Sequence, residues 1–248
     1  VNTNPVGNIS PSNPSICAGA SQVLTATASA GTGGTGSFAY LWSTSSTSNS
    51  ITASSSNTYS VTVTEGVSGC SAVAATILTV NPLPTPSISG NATICNGNTT
   101  TLTASGGATY AWSNSATTAA ISVSPTANTT YTVTATSAAG CSATASRLVT
   151  VSPVPTVDAG NNVASCGGTT AISMTGATAG GSYSANTWSG GAGLGNWAQN
   201  ANPALATFTP TTASGSFTAT LSLTGSGGCG NVSDTRTITW NSGIVGLT

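Results

Sequence analysis

The chain has 248 residues, a formal net charge of −1 and 2% charged residues, where about 25% is usual for a soluble domain. Arg147 and Arg236 are its only cations, so no phosphate backbone could be neutralised and nucleic acid is excluded as a partner. With no histidine and no lysine, acid–base chemistry is short of groups, and Ser, Thr, Gly, Ala and Val dominate instead, the composition of short strands and tight turns.

In chain order, an internal repeat organises everything else. Asn13-Pro-Ser-Ile-Cys17-Ala-Gly19 matches Asn91-Ala-Thr-Ile-Cys95-Asn-Gly97 and, more loosely, Asn162-Val-Ala-Ser-Cys166-Gly-Gly168. Apolar strands follow at Val23-Leu24, Thr101-Leu102 and Ile172-Ser-Met174, and then a tryptophan at Trp42, Trp112 and Trp188. Next come Tyr59-Ser-Val-Thr-Val-Thr64, Tyr131-Thr-Val-Thr-Ala-Thr136 and Phe217-Thr-Ala-Thr-Leu-Ser222, strands by their period-two alternation. A Gly-Cys turn follows at Gly69-Cys70, Gly140-Cys141 and Gly228-Cys229, and a last strand runs to Val80, Val151 and Trp240. Corresponding cysteines lie about 70 to 90 residues apart, the size of a seven-stranded sandwich. Residues 1–82 and 83–153 are therefore expected to be immunoglobulin-like β-sandwich repeats, and residues 154–248 a third, divergent sandwich. The alternating prolines of Asn81-Pro-Leu-Pro-Thr-Pro86 and Pro153-Val-Pro155 favour extended linkers, which predicts an all-β chain of three tandem sandwiches in an extended rod.

These motifs resemble the immunoglobulin-like and PKD-like repeats of large secreted surface proteins of Bacteroidota, adhesins and gliding-associated proteins among them. The resemblance rests on the Cys-x-Gly, the Tyr-x-Trp-Ser of Tyr40 to Ser43 and Tyr110 to Ser113, the Tyr-Thr-Val-Thr strand and the Gly-Cys-Ser-Ala turn. In the third repeat, Trp188-Ser-Gly-Gly and the stretch from Asn202 to Pro210 are similar to the PKD-like variant. The resemblance implies an extracytoplasmic bacterial protein.

Six cysteines, two per repeat, in a chain without histidine point to disulfides and an oxidising compartment, because zinc sites need clustered Cys or Cys/His. Two pairings stay open. Within repeats, Cys17 would join Cys70, Cys95 would join Cys141 and Cys166 would join Cys229. In a staggered scheme, Cys17 joins Cys141 and Cys95 joins Cys229, leaving Cys70 and Cys166 free to bond neighbouring molecules. Immunoglobulin topology puts the first turn and the last hairpin turn at opposite ends of a sandwich, which sets within-repeat bonds against its long axis.

No catalytic set is visible. The carboxylates Glu65, Asp158 and Asp234 fall one per repeat and read as solvated turn and edge residues; no cofactor and no metal site are expected. Gly31 to Gly36 and Gly190 to Gly193 lack the strand-to-helix context of a nucleotide site and read as loops. Trp42, Trp112 and Trp188 read as core plugs, while Trp197, in a Gly/Asn-rich stretch, reads as an exposed aromatic contact. Ser-rich tracts such as residues 43–56 are expected to carry O-linked glycans, which would hydrate a surface so poor in charge. No apolar run approaches the length of a membrane helix, so no membrane insertion is expected. The leading expectation is an extracellular, non-enzymatic filament subunit partnered by copies of itself. Its candidate assembly segments are Val1, Val6 and Ile9 near the start and Ile244, Val245 and Leu247 near the end. The alternative is a stalk or adhesin repeat region of a larger cell-surface protein, binding a glycan or another surface.

Overall fold

The computed structural model describes residues 3–242, apart from residues 33 and 35. The first repeat has seven strands: β1 (Val6–Ser10), β2 (Ser15–Cys17), β3 (Gln22–Ser29), β4 (Phe38–Trp42), β5 (Ser50–Ala53), β6 (Asn57–Glu65) and β7 (Ser71–Asn81). They form two sheets, in the orders β1-β3-β5 and β2-β7-β6-β4. All neighbours are antiparallel except β2, which runs parallel to the end of β7. In β6, Tyr59, Val61 and Val63 are buried while Ser60, Thr62 and Thr64 are half-exposed, as the alternation predicts for one packed face and one wet face.

The middle repeat copies this plan with β8 (Ser87–Ser89), β9 (Thr93–Cys95), β10 (Thr100–Ser105), β11 (Thr109–Trp112), β12 (Ala120–Val123), β13 (Thr129–Thr136) and β14 (Ser142–Ser152). Its sheets are β12-β10-β8 and β11-β13-β14-β9, with β9 parallel to β14. The third repeat elaborates it with nine strands: β15 (Thr156–Asp158), β16 (Val163–Ser165), β17 (Ile172–Ser173), β18 (Thr178–Gly180), β19 (Tyr183–Ser189), β20 (Gly195–Ala198), β21 (Thr207–Pro210), β22 (Gly215–Gly225) and β23 (Val232–Trp240). Here the strand equivalent to β3 is broken in two: β17 pairs with β21 and β18 pairs with β15. Between the halves Gly176 turns at φ +83°, a conformation that costs a side-chain-bearing residue energy. β20 is an addition beside β21, and β16-β23-β22-β19 completes the second sheet. The described residues contain no α-helix, only one 3₁₀ turn at Pro203–Leu205. The chain is thus all-β and forms three tandem immunoglobulin-like sandwiches.

The described residues group into two compact units. The first is the chain through Ser87 with Ser105–Thr118 and Val133–Ala145; the second is Ile88–Ala104, Ala119–Thr132 and the chain from Ser146 onward. The middle repeat thus contributes strands to both. The first unit buries Ile9, Leu24, Trp42, Tyr59, Val61, Val63 and Leu78 in one cluster. The second buries Ile172, Met174, Trp188, Phe208, Leu221, Ile238 and Trp240 in another. Each repeat's tryptophan is a core plug whose indole N–H is satisfied locally: Trp42 donates to the Ser48 carbonyl at 2.8 Å, Trp112 to Thr118 at 2.9 Å and Trp188 to Pro203 at 3.1 Å. Trp188 is 1% exposed, so Trp188→Ala should destabilise the third repeat by about 3–5 kcal/mol. Thermal unfolding would show this as a lowered transition.

Candidate functional site at the cysteine-bearing turns

The six cysteines fall into two structural classes, built the same way in the first two repeats and with altered hydrogen bonds in the third. The first class closes the short parallel strand. Cys17 sits opposite Asn81 at the end of β7, and Cys95 opposite Ser152 at the end of β14. The N–H after each cysteine donates to that opposite residue, Ala18 to the Asn81 carbonyl at 2.8 Å and Asn96 to Ser152 at 2.9 Å. The chain then turns back through Gly19 and Gly97, both at φ +88°, which is the physical content of the Cys-x-Gly motif. Cys166 follows β16 in the same frame: Ser165 lies opposite Trp240, and the Asn241 N–H donates to the Ser165 carbonyl at 3.0 Å.

The second class sits in the hairpin turn before the last strand. Cys70 accepts through its carbonyl from the Glu65 N–H at 2.9 Å, and Cys141 from the Ser137 N–H at 2.8 Å. In each turn the residue before the cysteine is a glycine at positive φ, Gly69, Gly140 or Gly228.

The disulfides join one class to the other across successive repeats. Cys17 is bonded to Cys141 with a Cα–Cα distance of 5.6 Å, and Cys95 to Cys229 with 4.7 Å. Cys70 and Cys166 are free thiols. Of the two schemes left open by the spacing, the within-repeat pairs are therefore not formed. The reason lies in the register: Cys17 is level with Asn81 while Cys70 precedes Ser71, so the whole of β7 separates them, roughly 35 Å at 3.3 Å per residue. A disulfide tolerates less than about 7 Å between Cα atoms. β14 separates Cys95 from Cys141 in the same way.

The charged residues are structural, but not as the sequence suggested. Glu65, read as a solvated turn residue, is 1% exposed; its carboxylate accepts the N–H groups of Val67 at 3.1 Å and Ser68 at 2.6 Å, folding the turn that carries Cys70. Arg236 is 3% exposed and donates to the carbonyls of Ala159 at 3.0 Å and Thr175 at 3.2 Å. Burial pulls its pKa down and nearby Asp158 pushes it back up. Arg147 donates to Ile88 at 3.3 Å and Gly90 at 2.6 Å. Aligned on the last strand, the two arginines share one position, whose counterpart Thr76 bonds the Asn13 N–H and the Pro11 carbonyl. This position ties the crossover between the first two strands of each repeat to its last strand. The signal was legible, because Arg147 and Arg236 each stand three residues before the Thr-Val or Thr-Trp that ends the repeat.

Trp197, expected as an exposed loop aromatic, lies half-buried on β20. It stacks on Trp188 at 5.6 Å between ring centroids, tilts against Phe208 at 5.1 Å and donates to the Gly190 carbonyl at 3.0 Å. Of the expected assembly segments, Ile9 is 3% exposed in the first core, on a strand that completes its own sheet, while Val6 is 67% exposed. Val1, Ile244, Val245 and Leu247 lie outside the described residues.

No protein-family model matches the sequence, and no curated protein is similar to it at a significant level. Among solved structures the chain is similar to an I-band fragment of titin, at 12% identity and TM-score 0.46, over 97% of this chain and 99% of that one. It is also similar to the three N-terminal domains of the Highly Immunogenic Outer Capsid protein of bacteriophage RB49, at 16% identity and TM-score 0.39, over 96% and 98%. A third likeness is to extracellular domains 3–5 of Drosophila OTK, at 10% identity and TM-score 0.38, over 96% and 95%. These scores lie below 0.5 and carry no functional inference.

Asp234 supplies a pH test of the crossover. Its carboxylate accepts the Ala159 N–H at 2.9 Å, and this bond, with a second from Thr235, holds its pKa below the ordinary value. A depressed carboxylate contributes stability above its unfolded pKa, about 3.9, and loses it as pH falls through the folded value. Asp234→Ala should therefore melt lower than the parent at neutral pH, and the two melting curves should converge as the pH drops below that range.

Proposed function

We propose that the chain is a load-bearing structural subunit of an extracellular filament on a bacterial surface, assembled end to end from copies of itself. The observation that carries this reading is the interlacing of the two disulfides: Cys95 lies inside the loop closed by Cys17 and Cys141, and Cys229 lies outside it. The shortest covalent path along the chain runs to Cys17, across to Cys141, back along the middle repeat to Cys95, across to Cys229 and on to the end. That path is roughly 80 residues, on the order of 280 Å when straight, against roughly 860 Å for the unbridged chain. Force that unfolds the sandwiches can therefore draw the chain out to only about a third of its unbridged contour. Loops this long also give each bond about 5 kcal/mol of stabilisation in the chain-entropy picture. Two disulfides support an oxidising, extracytoplasmic setting, and the near-absence of charge removes repulsion between identical subunits.

A second reading, the stalk of a larger surface protein, shares the same mechanics and is favoured by the same regular spacing of cysteines. Imaging of the purified, oxidised chain separates the two: filaments many subunits long support the first, and isolated particles of one chain support the second. In single-molecule pulling from both termini, the oxidised chain should stop extending at about a third of the contour reached after reduction. Equal contours in the two states would remove the mechanical reading.

A further inference from the structure

Two thiols are left over by the pairing, and they are complementary. Cys166 belongs to the class of Cys17 and Cys95, and Cys70 to the class of Cys141 and Cys229. We propose that Cys166 of one copy forms a disulfide with Cys70 of a second copy, so that the bond joining repeats within the chain also joins chains into a covalent head-to-tail polymer. This deepens the filament reading and rests on it for its biological setting.

Three observations support it. The first is a shared frame: the parallel strand register that places Cys17 and Cys95 carries on to Cys166, where Gly168 rather than the next residue donates to the opposite Asn241 carbonyl, and the glycine-led hairpin turn that places Cys141 places Cys70. The bond proposed between copies is thus one the chain already makes twice. The second is exposure. Cys166 is exposed and Cys70 is half-buried, as the bonded Cys17 and Cys229 are, while Cys95 and Cys141 are 5% and 1% exposed. Val67, in the turn that carries Cys70, is 71% exposed.

The third is the fit at an internal join. The turn before Cys229 lies against the short strand of the preceding repeat. A side chain at Gly228 would come within 3.1 Å of the Thr93 carbonyl oxygen and 3.3 Å of the Ile94 Cα, and the Gly228 carbonyl accepts from the Asn98 side chain at 3.4 Å. Cys70 and Cys166 both sit among small residues: Ser68, Gly69 and Ser71 around the first, Gly167 and Gly168 after the second. Apart from the exposed Val67 and the buried Glu65, the described residues of the two turns are small.

The chemistry is thiol–disulfide exchange with a small disulfide oxidant such as oxidised glutathione. The thiolate of Cys166 attacks one sulfur of the oxidant, forming a mixed disulfide and releasing one glutathione thiolate. The thiolate of Cys70 from the second copy then attacks the Cys166 sulfur and releases the other. Two cysteine thiols give up two electrons and two protons, and one glutathione disulfide takes them up as two thiols.

The test treats the full chain, its internal disulfides formed, with oxidised glutathione, followed by non-reducing electrophoresis and peptide mapping. The expected result is a ladder of covalent oligomers containing a Cys70–Cys166 linked peptide and collapsing to monomer on reduction. Cys70→Ser alone and Cys166→Ser alone should each stay monomeric, while their mixture should give a dimer and nothing larger, because each variant keeps one half of the join. Alkylating both thiols in the folded parent should abolish the ladder without any substitution, which covers a variant that fails to fold. A parent that stays monomeric, a Cys70–Cys70 or Cys166–Cys166 peptide, or a bond between the two thiols of one chain overturns the proposal. Filaments that still form from both serine variants overturn the covalent join and leave the filament reading standing. A covalent ladder without filaments supports the join and removes that reading.

Discussion

Everything distinctive about this protein follows from the parallel pairing of a three-residue strand with the end of the last strand in each repeat. That pairing levels Cys17 with Asn81 and Cys95 with Ser152. The same strand, eleven residues long in the first two repeats, carries the other cysteine just ahead of its start. One register of hydrogen bonds therefore separates the two thiols of a repeat by the length of the sandwich. Each thiol can then meet only a thiol of another repeat. Connectivity is a consequence of strand length, and interlacing is a consequence of connectivity.

The crossover that sets up this pairing takes most of the charge the chain has. Leaving the first sheet for the second exposes backbone carbonyls with no strand partner, and such groups are expensive to bury unbonded. Arg147 and Arg236 reach those carbonyls in the second and third repeats; Thr76 bonds the equivalent segment in the first. Asn13 and Asn162 add side-chain oxygens that accept from Ile77 at 3.2 Å and Thr237 at 2.7 Å on the last strand. Asp234 fastens Ala159 beside the same segment. Glu65 does similar work at the other class of cysteine, folding the turn around Cys70. Charges serving the backbone leave a surface of hydroxyls.

The third repeat shows how far the plan bends while keeping the cysteine frame. Its broken third strand and added β20 bring Trp188, Trp197, Phe208, Phe217 and Trp240 into one aromatic cluster. The glycine stretch after Trp188 is part of that packing, since a side chain at Gly191 would come within 2.8 Å of the Phe217 ring. Trp197 is consequently held inward. A Gly/Asn-rich environment in the sequence does not distinguish a loop that displays an aromatic from one that folds it back.

The sequence by itself determined the class of fold, the number of sandwiches, the strands that alternate and the tryptophans that plug the cores. Those depend on local periodicity and on a repeat visible by aligning the chain with itself. It also limited the cysteines to two schemes, because turn positions in an immunoglobulin topology are known from strand order alone. Only the tertiary structure decided between them, since the choice depends on which residues stand level across a parallel pair, and register between distant segments leaves no trace in either segment's own pattern. The same reason hid the burial of Glu65 and of Trp197: whether a turn or loop side chain faces water is settled by what the rest of the chain packs against it.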